Sequence, residues 1–301
     1  PNANMSYFAA QATVRADATQ QGDGGKVIVW ADDTTRAYGN ISARGGERGG
    51  NGGFVETSGK RYLDFQGQVD TRAPLGKVGT LLLDPSLIFT IDISVDSNVS
   101  GATPFIAPLP LLASTLSVAT LQTALSSSDV LVSTASSPNS KIDVLAPVAW
   151  TSGHALKLQS DSYGGIGINA ALDAGPTGSV ILSAGGEGIF GGGIITAKSL
   201  GIQSGWSVNL NGLNMVETLA ANISNGSIYY QSARASGLTI GTVGPLNGVT
   251  ANSNVSILSN GPLTLNQKVK SNSGTVRVDS GSSAISGSAS LESSDIVLQH
   301  D

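Results

Sequence analysis

Between Asp23 and Pro85 a glycine group leads three times into a short apolar run, and the spacing barely changes. Gly24-Gly25 precedes Val27-Ile28-Val29, Gly52-Gly53 precedes Phe54-Val55, and Gly76 and Gly79 lead into Leu81-Leu82-Leu83. Gly25, Gly53 and Gly79 stand 28 and 26 positions apart, and each run stops at a polar step: Asp32-Asp33, Glu56, Asp84. A unit this short, written as turn, strand and corner, cannot bury an apolar face alone. It survives only between neighbours that pair its backbone groups and complete its core, which makes a stacked coil the expected fold. The glycines then read as corner geometry, not as a ligand cradle.

The rest of the chain keeps the pattern in looser form. Residues 12–16 read as a strand followed by a turn from Gln20 to Gly25, and Phe89 to Val95 alternates apolar and polar residues. From Lys141 onward the strand cores fall at 142–144, 156–158, 166–168, 180–182, 200–202, 208–210, 228–230, 238–240, 255–258, 263–265, 276–278 and 296–298. Starts at 255, 276 and 296 give strides of 21 and 20. Ser224-Asn225-Gly226 and Ser259-Asn260-Gly261 fill gaps with residues that tolerate left-handed backbone. Residues 97–140 have a different texture. Pro104, Pro108 and Pro110 break pairing, since proline has no N–H to donate. The window 117–125 is the best helical stretch, with Leu121 and Leu125 on one face and Ser117 as N-cap. A helix of two to three turns is too short to stand alone, so it must dock.

The expected fold is therefore all-β, a parallel β-helix with one short helical excursion near 117–126. Its parts are glycine-led coils over 1–96, a Pro-rich excursion packed on the rod over 97–140, and a continuing β-helix over 141–301. About a dozen coils at ~4.8 Å each make a rod on the order of 60 Å long. Evenly spaced strands would also suit a β-sandwich, but glycine corners, few aromatics and the lack of clear hairpin pairs favour the coil.

Composition narrows the partners. Charged residues are only 12% of the 301 and 39 are glycine, too few solvated side chains for long surface helices. A hydrophobic share of 40% excludes a disordered chain. The net charge is −5 and Lys60-Arg61 is the largest basic cluster, so the footprint of nucleic-acid binding is missing. No apolar run approaches the ~18 residues a membrane span needs, so no membrane insertion is expected. The absence of cysteine removes disulfides, thiolate metal sites and a Cys nucleophile. The opening PNANMSYFAAQ lacks the charged start and apolar core of a signal peptide, so a removed signal or a fragment is expected.

Three stretches point to a family. They are GDGGKVIVWADDTTRAYGNISARGG with GGFVETSGKRYLDFQGQVDTRAPLGKVGTLLLDP; LNGLNMVETLAANISNGSIYYQSARASGLTIGTVGPLNGVTA at 210–251; and ATLQTALSSSDVLVSTAS at 119–136. Together they resemble the filamentous-haemagglutinin-like adhesins exported by two-partner secretion, the first stretch most specifically. The resemblance implies a right-handed parallel β-helix and a long secreted fibre outside the outer membrane of a Gram-negative cell. It also implies an outer-membrane β-barrel transporter as export partner. The function it implies is structural and adhesive: attachment to cells, surfaces or matrix polysaccharide, in a biofilm or on a host. The family's secretion domain carries an Asn-Pro-Asn-Gly motif, and Pro1-Asn2-Ala3-Asn4 is not one. An internal segment of a longer fibre is the expectation, with end-to-end self-association through exposed coil edges.

Chemistry-bearing residues are sparse, and no enzyme, cofactor or metal site is expected. The competing class is a β-helical carbohydrate-active enzyme (a polysaccharide lyase or glycosidase), which needs carboxylates or basic residues grouped on one outer face. The acids Asp32, Asp33, Asp64, Asp70, Asp84, Asp143, Asp161, Asp173, Glu187 and Asp279 are scattered, mostly beside turn residues. His154 and His300 lie 146 positions apart. The run Gly45 to Gly53 lacks the Asp of a calcium repeat and the Lys-Ser/Thr of a phosphate loop, and reads as a loose loop. Trp30, Trp150 and Trp206 could stack on sugar rings, although a Trp in an apolar strand reads first as core. Tyr229 and Tyr230 are adjacent in a strand, so one of them faces outward. The candidates for ligand binding are Trp150, Tyr229 and Tyr230. Asn-x-Ser sequons stand at Asn40, Asn98, Asn222, Asn225 and Asn254, as expected by chance in a chain this rich in Asn and Ser.

Overall fold

The computed structural model describes residues 2–85, 89–93, 114–134 and 139–299. The chain winds as a β-solenoid of about 11 turns, nearly all β, with parallel stacked coils and one short helix. Pro104, Pro108, Pro110, Asn98, His300 and the end of the strand expected to reach Val95 lie outside the described residues.

The coils build three sheets, one of them interrupted by the helix. The first contains Lys26–Ala31, Phe54–Gly59, Thr80–Pro85, Asp129–Ser133, Ala155–Gln159 and Ser179–Ala184, and continues through residues 199–204 and 218–223 to Val249–Ala251, Val269–Ser271 and Leu291–Glu292. Its inward column runs through every one of these strands, with residues 241–248 inserted between the pairs Leu219–Ile240 and Ala221–Val249. Val29, Thr57, Leu83, Val132, Leu158, Leu182, Ile202, Ala221, Val249, Val269 and Leu291 stand one above another in a single inward column. The second sheet has its own column, Phe89, Ile142, Ile166, Ile189, Val208, Ile228, Val255, Val276 and Ile296. Successive strand residues point to opposite sides, so an apolar residue at every second position fills the interior while its neighbours face out. Each such side chain stabilises the rod by roughly 1.5–3 kcal/mol.

Glycines make the corner before the first sheet. Phe54 N–H donates to Gly25 O at 3.0 Å, Thr80 N–H to Gly53 O at 3.0 Å and Asp129 N–H to Gly79 O at 3.1 Å. A Cβ on Gly53 would lie 2.0 Å from Gly25 O, and one on Gly79 would lie 2.0 Å from Gly53 O. The backbones approach too closely for any side chain. The glycine run from Gly45 to Gly53, expected as a loose loop, is an ordered turn. Gly46 and Gly49 bridge each other, Gly22 N–H donates to Gly49 O at 2.9 Å, and Arg48 N–H donates to Gln20 O at 2.7 Å. The turn from the coil below supplies the partners.

Helix α1, Val118–Leu125, stands where the third sheet would otherwise continue between Gln68–Asp70 and Val148–Ala149. Ser117 caps it, its Oγ accepting from Thr120 N–H at 3.1 Å. Leu121 and Leu125 are fully buried. Hydrogen bonds tie the helix and its exit turn to the flanking coils. Thr71 N–H donates to Ser127 O at 3.1 Å, Gln122 Nε2 to Ala149 O at 2.8 Å, and Ser152 Oγ to Leu125 O at 2.5 Å.

Two features depart from the expected pattern. An antiparallel hairpin pairs Thr242–Val243 with Leu246–Asn247 and folds over the outside of the first sheet. A Cβ on Gly201 would meet Val243 Cγ1 at 3.2 Å and Leu246 Cδ1 at 3.5 Å. The strands Thr34–Ala37 and Tyr62–Phe65 are buried on both faces, so Thr34, Thr35, Arg36 and Asp64 are inside despite their polarity.

Candidate functional site

A groove lies on the third sheet of the first coils, under the end of α1. Thr13–Arg15, Asn40–Ser42 and Gln68–Asp70 form its floor in register. Thr123, Ser126 and Ser127 overhang it, enclosing about 430 Å³. Outward positions build the rows Thr13–Asn40–Gln68 and Arg15–Ser42–Asp70. Asp17, Arg44 and Arg72 extend the lining at the next corner.

Both carboxylates of this groove are committed. Asp17 accepts from Arg44 N–H at 2.8 Å and from Ser42 Oγ at 2.8 Å. Asp70 accepts from Arg72 N–H at 3.0 Å and from Arg72 Nε at 2.9 Å, and its Oδ2 is 2.6 Å from Arg72 Nη2. Burial pushes the Asp70 carboxyl up, but the Arg72 hydrogen bonds and the charges of Arg72 and Arg44 outweigh it and hold the group below the usual carboxylate range. The groove therefore offers hydroxyl, amide and guanidinium donors around the ionised Asp70.

Carboxylates elsewhere serve the turns. Asp173 accepts from Gly175 N–H at 2.9 Å and Asp279 from Gly281 N–H at 3.0 Å, the local turn geometry aspartate favours. Asp33 pairs with Arg61 at 2.6 Å, Asp143 with Lys141 at 3.0 Å, and Asp279 also with Arg277 at 2.9 Å. Asp64 is buried and accepts from the Tyr38 hydroxyl at 2.5 Å. His154 places Nδ1 2.6 Å from Leu125 O, at the end of α1. Among the described residues, no three His, Asp or Glu side chains gather as a metal site, and no helix is long and apolar enough to cross a membrane.

The aromatic candidates separate. Tyr230 has no exposed surface and Trp150 only 6%, so neither ring can stack on a ligand from solution. Trp150 borders a hollow on the third sheet with Asp173, Thr196, Met215 and Arg234, but its Nε1 is committed to His154 O at 2.9 Å. Trp30 is half-buried on the outside of the first sheet. Tyr229 faces outward and Trp206 is exposed in a turn. The sequence reading passed over Tyr163 and Phe190, both exposed. Phe190 was legible, since it follows inward Ile189 and must face out. The groove charges had a signal too: Arg44 and Arg72 repeat the 28-position stride of Gly25 and Gly53. The sequon residues Asn40, Asn222, Asn225 and Asn254 are exposed.

Comparison with protein-family models gives no match, and comparison with curated proteins gives none.

Proposed function

We propose that this chain is a structural and adhesive segment of a secreted cell-surface fibre, attaching to cells, surfaces or matrix polysaccharide. Its export partner in this reading is the outer-membrane β-barrel transporter of two-partner secretion. The observation that carries the reading is the outward columns. Successive coils add residues to each column at the inter-strand spacing, so the fold builds a long lateral surface with rows of like chemistry such as Gln159, Ser183, Gln203 and Asn222. Such a surface suits multivalent attachment along a rod, where many weak contacts add through high local concentration. The resemblance of the glycine-led coils to haemagglutinin-like adhesins supports the same reading.

Beads coated with the folded protein should attach to cells or polysaccharide-coated surfaces more than beads carrying denatured protein. Equal attachment by the two would overturn the reading.

A β-helical carbohydrate-active enzyme is the alternative, and the groove with Asp17 and Asp70 is the observation in its favour. A glycosidase acid needs a raised pKa, and Asp70 is shifted the other way by Arg72. Release of reducing ends or unsaturated products from polysaccharide by the folded protein, lost in Asp70→Asn, would support this alternative over adhesion.

A further inference from the structure

One edge of the rod carries an aromatic series that none of the sites above uses. Tyr163, Phe190 and Trp206 are 64%, 43% and 52% exposed, and Tyr229 faces outward beside them. They come from four consecutive coils. Tyr163 and Trp206 stand at the corner between the first and second sheets. Phe190 and Tyr229 stand in the adjoining outward column, with Asn209 between them in register. Each coil thus contributes one ring, alternating between the corner and the column.

The corner geometry keeps the rings apart and open. Gly186 stacks on Tyr163, its Cβ position 3.3 Å from Tyr163 Cα. Trp206 belongs to the next coil, between the registered pairs Ala184–Ser204 and Ile189–Val208. Tyr163 and Trp206 are therefore two strand spacings apart, about 9.6 Å, with a bare glycine rung between them. Gly188 has φ +80° and lacks a Cβ where Phe190 Cε2 lies 3.1 Å away, so the Phe190 ring leans towards the corner. On the other side of the corner runs an uncharged polar ladder, Gln159, Ser183, Gln203 and Asn222.

We propose that this edge binds a neutral polysaccharide lying along the rod axis; the proposal rests on the adhesive reading and gives it a site. The π-face of each ring is electron-rich and suits the C–H face of a sugar. The amides and hydroxyls beside it suit the ring hydroxyls at the sugar's edge. Rings that recur coil after coil match a ligand that itself repeats, which a small molecule does not. Glu187, exposed on the same corner between Gly186 and Gly188, is an acid, and its charge selects against sulfated or uronic-acid chains. Exposed apolar groups gathered on one edge of a soluble surface are themselves the mark of an interaction site.

Affinity electrophoresis of the full chain through gels cast with hydroxyethylcellulose, galactomannan or dextran tests the proposal, with alginate as the anionic comparison. At least one neutral polymer should retard the protein. Trp206→Ala should weaken that interaction about tenfold, and Trp206→Phe, which keeps a ring, should retain most of it. Tyr7→Ala removes an exposed ring far along the rod and should change nothing. Unchanged circular dichroism will show that the exposed-site variants are folded. Retardation that survives both Trp206→Ala and Phe190→Ala overturns this site while leaving the adhesive reading in place. Retardation by alginate alone, or by no polymer, also overturns the site, and the bead experiment then decides the adhesive reading separately. A dimer in sedimentation that Trp206→Ala dissolves, with no retardation, would give the edge to a second copy of the chain instead.

Discussion

Tyr229 and Tyr230 are neighbours in Ile228–Ser232 and face opposite sides of the sheet, Tyr229 outward and Tyr230 wholly inside the rod. The Tyr230 hydroxyl is buried without a hydrogen-bond partner. Burial pushes its pKa up, because the phenolate would have no solvent. A buried hydroxyl left unpaired costs about 1–3 kcal/mol. Tyr230→Phe keeps the ring and removes the cost. Chemical denaturation should show the variant more stable by about that amount; a less stable variant would mean that the hydroxyl has a partner.

Asp129 gives a pH signature. It begins a strand of the first sheet and accepts from Ala155 N–H at 2.8 Å. Burial raises its pKa, against the Ala155 hydrogen bond and the His154 charge, which lower it. A carboxyl raised in the folded state favours folding most when protonated, and that contribution is lost as pH rises through the raised value. Asp129→Asn keeps an acceptor and cannot ionise. The variant should be more stable than the parent at neutral pH, with the gap closing below about pH 4. Melting curves across that range check it; a gap that widens in acid would contradict the sign.

The glycine corner predicts an asymmetric response to alanine. A Cβ at Gly53 would meet Gly25 O at 2.0 Å, a backbone atom that cannot swing aside. Gly192 is exposed and meets nothing closer than Asn211 Oδ1 at 3.5 Å. Gly53→Ala should destabilise by about 1–3 kcal/mol or more, and Gly192→Ala should stay within about 0.5 kcal/mol. Equal melting points for the two would remove the close-packed corner from the account.

Helix α1 should be the separable part of the rod. Leu121→Ala removes a fully buried side chain and should cost about 2–5 kcal/mol if the loss is felt globally. Hydrogen exchange tells local from global loss. The amides of Val118–Leu125 should lose protection first, while those of Val255–Ser259 and Thr275–Asp279 keep theirs. Simultaneous loss in all three would show that the helix is integral to the coil stack.

The legible elements were those long enough to show a period. Residues 228–230, 255–258 and 276–278 alternate and were read as strands, which they are. Val148–Ala149 and Leu172–Asp173 were missed, because two residues hold no period. The hairpin around Gly244 was missed because Gly241, Gly244 and Gly248 look like any other corner of this chain. Asp64, counted with the scattered acids, is instead buried beside Arg36 in register, a placement that polarity does not signal. For the candidate sites, alternation placed Tyr229 against Tyr230 but could not say which of the two was outside.

The sequence by itself determined that the chain stacks. A recurrent inward apolar position with glycine at the corners favours stacked coils over a β-sandwich as the way to bury the core. Only the tertiary structure decided which residues share a lateral surface. Leu83 pairs with Val132, 49 positions on, whereas Leu182 pairs with Ile202, 20 on. Coil length changes with every corner, so the column a side chain joins depends on how each turn closes. Tyr163 and Trp206 come within two coils of each other for that reason, and the aromatic edge exists only once the chain is wound.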